Sequence, residues 1–269
     1  MFIVTATPSE ALELATQYTI EHGDAIAPRG QVTRELLNVT LKIESPWHIP
    51  VKMENRKFNH KIGARECLQL VGQTSDPEIM TDTAEVFNNY MDHNILHGAY
   101  GPRLYGNLSK VVEQLKKDYS TRQAVLTIFD SNKDLNANVR DVPCTLNLQY
   151  FIRDEKLIAR TNMRSNDVYL GLPYDLTQFI GLQGAIAKAL DLEMGAYVHN
   201  VGSMHIYEQH IPGAQWIKTY LNGAYLPYEP LWSGNSIGEI SSMARKILKG
   251  QLPENMTKFE LFLAGQRND

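Results

Sequence analysis

Apolar and polar positions recur along this chain with two different periods, and each change of period marks an element. Thr7-Pro8-Ser9-Glu10 has the form of a capping box with proline at the first helical position. It predicts a helix of about a dozen residues ending near Gly23. Leu36, Val39 and Leu41 among polar neighbours predict a strand over 35–45. Residues 61–74 and 79–92 carry helical apolar spacing. In 107–119, Leu108, Val111, Val112 and Leu115 share one helical face behind Asn107 as a candidate cap.

The period then shortens to two. Ala124 to Phe129 predicts a short, almost continuously apolar strand. In 144–152 the alternation sets Cys144, Leu146, Leu148, Tyr150 and Ile152 on one side and Thr145, Asn147 and Gln149 on the other. The polar turn Arg153-Asp154-Glu155-Lys156 and the run 157–163 complete a hairpin. From Pro173 to about Leu190 the residues are apolar nearly all round, which predicts a buried helix. A strand over 196–204, a helix from about Tyr207 and a surface helix over 236–249 follow, and the last twenty residues carry no clear pattern. Strands adjacent in sequence but interrupted by helices predict an α+β fold with a mixed sheet. No repeat, low-complexity tract or linker divides the chain, so one domain over 1–269 is expected.

Composition narrows the function. With 26 basic and 30 acidic residues, a net charge of −4 gives no field for long nucleic acid. A single phosphate group needs only a local cluster of arginines and stays possible. Two cysteines, Cys67 and Cys144, make no disulfide framework and suit a reducing cytoplasm. The chain has no apolar run near the about 18 residues of a membrane span and no signal-peptide pattern, so a cytoplasmic protein is expected.

Candidate chemistry collects in three polar segments set in the β-rich centre: Val142-Pro143-Cys144-Thr145, Asn162-Met163-Arg164-Ser165-Asn166-Asp167 and Asn200-Val201-Gly202-Ser203-Met204-His205-Ile206-Tyr207. Taken alone, Arg164 and Asp167 suit an internal ion pair, because unpaired buried charge is costly. A Cys144–His205 pair also suggests a cysteine hydrolase, but that leaves the arginines without a task and the nucleophile without a helix start.

Together with Val168-Tyr169-Leu170-Gly171-Leu172-Pro173, these segments resemble the thymidylate synthases: the Pro-Cys pair, the Arg-Ser-x-Asp-Val-x-Leu-Gly-Leu-Pro segment and a Gly-x-x-His-x-Tyr segment, with spacing kept from Pro143 to about His210. Upstream, Arg29, Glu66, Tyr100-Gly101 and Ser120-Thr121-Arg122 can be placed on family motifs. The resemblance implies a homodimer with shared sites, its mixed sheet at the interface. It implies that Cys144 adds to C6 of a pyrimidine nucleoside monophosphate and that C5 then attacks the one-carbon unit of 5,10-methylenetetrahydrofolate, with no metal. It assigns the phosphate to Arg164, Ser165, Arg29 on a mobile N-terminal loop, and Arg122 of the neighbouring subunit. His205 and Tyr207 would bind the sugar 3′-hydroxyl, with Asn166 among the substrate contacts. Glu66 would organise proton transfers, Tyr100 would sit by the nucleophile, and Asp167 would contact the folate pterin. Nearby arginines would lower the Cys144 pKa. Cys67 is expected to be core.

Departures from the synthase pattern point to the base. Synthases carry an asparagine in the helix after Leu-Pro, where this chain has Asp175, and usually a histidine where it has Thr145. An amide pairs with uracil N3–H and O4; cytosine inverts that edge, and a carboxyl group fits it. An aspartate favoured by a helix N-terminus is the plain structural reading. The strings at 162–167 and 200–207 resemble deoxycytidylate and cytidylate hydroxymethylases more than synthases, and 83–98 lacks tryptophan. The expectation is 5-hydroxymethylation of dCMP or CMP by water capture, with Asp175 reading the base. Its rivals are reductive methylation, to dTMP or 5-methyl-dCMP, and a non-catalytic relative that binds nucleotide or RNA.

Overall fold

The computed structural model describes residues 1–135, 138–219 and 227–266. The N-terminal part runs β1 (Phe2–Thr5), α1 (Pro8–His22), β2 (Asp24–Ile26) and β3 (Thr33–Ile43). Both halves of the capping box form: the Glu10 amide donates to Thr7 Oγ1 at 3.3 Å and the Thr7 amide to Glu10 Oε2 at 3.1 Å. Next come α2 (His60–Gly72) and α3 (Pro77–Thr83). The helix expected over 79–92 stops at Ala84, whose extended backbone (φ −157°, ψ 125°) breaks the helical ladder, and Glu85–Tyr90 is a 3₁₀ segment. α4 (Asn107–Lys117) is capped by Gly106 at φ 72° rather than by Asn107, which becomes the first helical residue.

β4 (Val125–Thr127), α5 (Ser131–Asp134), β5 (Thr145–Arg153) and β6 (Lys156–Asp167) form the centre. β6 runs on beyond 163, so Arg164 to Asp167 are strand residues with their backbone paired to β7 (Glu193–Tyr207). Between them α6 (Leu172–Ala189) crosses over, buried on nearly every side. Tyr207 closes β7 instead of opening a helix; only the 3₁₀ turn Glu208–His210 and one turn of α7 (Ile211–Ala214) follow. α8 (Ile237–Leu248) lays Ile240, Ala244 and Ile247 against the interior and packs on α2. The pattern-poor C-terminus holds a second complete capping box, Thr257 with Glu260, heading α9 (Lys258–Leu263).

Among the described residues seven strands make one mixed sheet in the order β1-β3-β7-β6-β5-β4, with β2 paired beside β3. β6 and β7 are parallel across α6, while β3–β7 and β5–β6 are antiparallel. α1 and α6 cover the face bearing Leu41, Leu148, Tyr150 and Ala159. On the opposite face, side-chain hydrogen bonds run across four strands through Thr40, Asn200, Asn162 and Asn147.

The alternation in β5 fails at its start. The amides of Ile128 and Phe129 both donate to the Leu146 carbonyl, at 2.9 and 3.1 Å, and the ladder slips between Thr145 and Asn147. That bulge turns Thr145 fully into the interior and leaves Leu146 half-buried, against the expected order.

Cys67 is a core residue. A Cβ at Gly181 would lie 2.4 Å from its sulfur, so α2 and α6 touch through a bare glycine. Burial pushes its thiol far above the ordinary range. The described residues include no helix long and apolar enough to cross a membrane.

Candidate active site

The C-terminal end of β6, the end of β7, the start of α6 and the segment before β5 open together onto a cleft of about 930 Å³. Of the twelve residues singled out from sequence, eleven line it: Arg29, Glu66, Tyr100, Cys144, Arg164, Ser165, Asn166, Asp167, Asp175, His205 and Tyr207. Arg122 does not. It is exposed beside β4, where its backbone carbonyl accepts from Gln149 Nε2 at 3.0 Å.

Cys144 lies half-buried at the base of the cleft. Burial holds its thiol above the ordinary value, and the opposing pull of Arg164 and Arg29 does not overcome it. The expected arginine-lowered pKa is therefore corrected in direction: desolvation outweighs the cations. Tyr100 stands next to it, its hydroxyl beside that of Thr145 and its ring stacked 6.0 Å from Phe179. Burial keeps that phenol protonated. Gly101 allows the approach, since a Cβ there would meet the Thr74 and Gln69 carbonyls at 2.1 and 2.4 Å.

Arg164 and Asp167 do not pair. Arg164 Nε donates to the Pro143 carbonyl and Nη2 to that of Val142, both at 2.9 Å, so the guanidinium braces the cysteine segment with Nη1 spare. Arg29 sits in a left-handed turn (φ 54°) and makes no ion pair among the described residues. Ser165 Oγ is 3.4 Å from His205 Nδ1, and His205 meets Tyr207 edge-on at 5.6 Å. This end of the cleft has cations and hydroxyls with free valences, the complement of a phosphorylated sugar. Asp167 Oδ1 accepts from the amides of Tyr169 and Leu170 at 2.7 and 2.8 Å, while its Oδ2 is buried without a partner. An orphaned carboxylate oxygen of that kind suits a ligand N–H donor.

Asp175 sits in the first turn of α6, 8% exposed. The structure gives it more than a helix-terminus role. Its Oδ2 accepts from Asn166 Nδ2 at 2.7 Å and its Oδ1 from Gln178 Nε2 at 2.9 Å. Asn166 is itself held, its Oδ1 lying 2.8 Å from His199 Nε2. Burial pushes His199 down to about 3, so the ring is neutral and must place its proton on Nε2, because an amide oxygen only accepts. Tyr197 Oη, 2.9 Å from both His199 Nδ1 and Thr161 Oγ1, completes the buried chain. The relay fixes which way the Asn166 amide points and keeps Asp175 an acceptor on that side. Burial still pushes the Asp175 carboxyl up to about 7, against the two amide bonds. Glu66, on α2, is pushed up to about 8 by burial and by Asp175 and Asp141.

Gln178, His199, Tyr197 and Asp141 were missed in sequence. Gln178 could have been found as the third residue after Asp175 on the same helical face. His199 offered only an isolated polar position in an apolar strand. Among the described residues no group of three or more His, Cys, Asp or Glu could hold a metal.

A mixed sheet bearing a cysteine, two arginines and a buried acid at its cleft defines a class, and the thymidylate synthase family model matches residues 15–221; the chain belongs to that family. Among its relatives is the deoxyuridylate hydroxymethyltransferase of Bacillus phage SP01, 30% identical over 206 residues, which is 70% of this chain and 54% of that protein. The thymidylate synthase of Staphylococcus haemolyticus is 30% identical over 118 residues, 44% of this chain and 36% of its own. That of Vesicomyosocius okutanii is 28% identical over 156 residues, 52% and 57% of the two chains. The chain thus spans about half the length of the curated relatives it matches.

Proposed function

We propose that the protein transfers a one-carbon unit from 5,10-methylenetetrahydrofolate to C5 of a cytosine nucleoside monophosphate and completes the reaction with water, forming a 5-hydroxymethyl nucleotide. The observation that carries the base is Asp175: a carboxyl group at the position where the base edge would lie, held as an acceptor by Asn166 and Gln178. A carboxyl near its midpoint at neutral pH accepts from cytosine N4–H and, when protonated, donates to N3. Cys144 supplies the nucleophile for C6, and the substrate's own phosphate fixes its reach through Arg164, Ser165 and Arg29. Glu66, mostly protonated at neutral pH, is suited to donate to the base as charge develops. The folate brings the carbon at the oxidation level of formaldehyde, and Asp167 Oδ2 offers its pterin an acceptor. The Thr40–Asn200–Asn162–Asn147 face, with exposed Phe2, Val4, Leu37 and Val125 around the sheet, is the surface proposed for a homodimer, with Arg122 reaching the partner's phosphate site.

A second reading is hydroxymethylation of dUMP, favoured by the likeness to the deoxyuridylate hydroxymethyltransferase of phage SP01. In its neutral form the Asp175 carboxyl can mimic an amide, accepting from N3–H and donating to O4. Incubation with CMP, dCMP and dUMP plus the folate, with mass detection, tests both. A gain of about 30 mass units on a cytosine nucleotide, with tetrahydrofolate released, is expected. A gain of about 14 with dihydrofolate would mean reductive methylation, and no turnover on any of the three would mean a non-catalytic relative.

A further inference from the structure

One acid in the cleft has no task in the chemistry above. Asp141 lies three residues before Cys144 and lines the same cleft. Its Oδ2 accepts from the Gly98 amide at 2.8 Å. The carboxylate rests on bare backbone there: a Cβ on Gly98 would stand 2.7 Å from each of its atoms. The cations nearby are committed elsewhere. Arg103 gives Nη1 and Nη2 to the two oxygens of Asp134 and to the Ile128 and His97 carbonyls. His97 Nε2 also pairs with Asp134, at 2.7 Å.

The two aspartates therefore differ in kind. Asp134 is fully enclosed and saturated, a structural anchor. Asp141 has one backbone hydrogen bond and no ion pair among the described residues, with its remaining lone pairs open to the cleft. A half-buried carboxylate with an oxygen free toward the cleft is placed to accept a proton from water or a ligand there. Its charge acts on Cys144, Glu66 and Tyr90, which line the same cleft. The other acids of the cleft are poor bases for a late step: Asp134 is saturated, Asp167 is the acceptor proposed for the folate, Asp175 is occupied by two amides and Glu66 is mostly protonated.

We propose that Asp141 is the general base that delivers water to the exocyclic methylene carbon of the Cys144-bound pyrimidine, a role that rests on the hydroxymethyl reading above. The Asp141 carboxylate takes one proton from water as the oxygen lone pair forms the new C–O bond. The electrons of the C5–methylene double bond shift to C5–C4 and onto the substituent at C4. They return to rebuild C5=C6 as the C6–S bond breaks, and Cys144 leaves as thiolate. The proton on Asp141 neutralises that thiolate or passes to solvent, so no oxidant or reductant is consumed. Raising of Asp141 above the usual carboxylate range by burial suits proton uptake.

The test is Asp141→Asn, assayed with C5-tritiated nucleotide and methylenetetrahydrofolate, with and without 2-mercaptoethanol. Tritium release reports formation of the methylene and should stay within about threefold of wild type. Hydroxymethyl product should fall by at least about 100-fold, the usual scale for losing a general base. With the thiol present, a nucleotide thioether should accumulate as sulfur takes the place of water. Gly98→Ala, which presses on the carboxylate, should partition the same way, and far-UV circular dichroism checks that each variant folds. Wild-type rates of hydroxymethyl product from Asp141→Asn would overturn the proposal, as would parallel loss of tritium release, which would place Asp141 before the methylene stage. A wild-type enzyme that makes methyl product and dihydrofolate overturns the hydroxymethyl reading itself, and Asp141 with it.

Discussion

Asp175→Asn tests the base-reading acid twice, through stability and through selectivity. The wild-type carboxyl rises from its ordinary 3.8 to about 7, chiefly through burial. In the unfolded chain it ionises near 3.8, while in the fold it keeps its proton to about 7, so the folded state binds more protons across that window. Stability therefore falls as pH rises from about 4 to 7, by on the order of 4 kcal/mol from this group alone. The introduced amide does not titrate and removes that slope. It also has one oxygen where two amides donate. His199 pins Asn166, so either Gln178 swings away or two N–H groups face each other, at about 1–3 kcal/mol. The variant should thus be less stable than wild type at pH 5, and the gap should close or invert by pH 8. Glu66, raised in part by Asp175, ionises more easily in the variant and acts in the same sense. Urea denaturation at the two pH values measures the difference. A gap that is independent of pH would refute the reasoning, because the carboxyl would then be ionised in the fold throughout. In turnover, the cytosine-to-uracil ratio of kcat/KM should narrow by at least about tenfold, since the new amide donates to O4. An unchanged ratio with activity kept would mean that this side chain does not read the base.

Cys144→Ala should abolish turnover and exchange of the C5 hydrogen while nucleotide binding by calorimetry stays within about tenfold, because the phosphate contacts are separate from the thiol. Since burial raises the Cys144 thiol, its thiolate fraction grows with pH, and alkylation of the free enzyme by iodoacetamide should speed up from pH 7 to 9. Arg122→Ala and Cys144→Ala proteins, each weak or inactive, should regain part of the activity when subunits exchange; a fully active monomer by sedimentation would contradict the shared site. Gly181→Ala forces a methyl within 2.4 Å of the Cys67 sulfur and should cost about 1–3 kcal/mol in denaturation, partly recovered with Cys67→Ala.

Residue order alone determined a good deal here. Local rules were enough for the capping box at Thr7, the buried helix after Leu172-Pro173 and the hairpin, because each depends on contacts within a few residues. Spacing kept over some sixty-eight residues, Pro143 to His210, was enough for the family and for eight of the eleven singled-out residues that meet in the cleft, while Arg29, Glu66 and Tyr100 came from separate upstream motifs. Elements whose ends depend on distant partners were not legible. β6 and β7 outrun their apolar patterns because Ser165–Asp167 pair with Ser203–His205 across a parallel ladder and Met204–Tyr207 pair with Thr33–Leu36 of β3, whatever their side chains. The slip that inverts Thr145 and Leu146 lies in the pairing of β5 with β6, where the Leu146 carbonyl is taken by the Ile128 and Phe129 amides, and no alternation encodes it. The sign of the Cys144 shift was misjudged for the same reason: arginines can be counted in a sequence, but desolvation depends on what packs around the sulfur. Only the tertiary structure could decide that Asp175 faces two amides, one of them held by His199, or that Asp141 lies on Gly98 with its neighbouring cations already taken, since those residues are drawn together from separate strands, loops and a helix by the burial of the core.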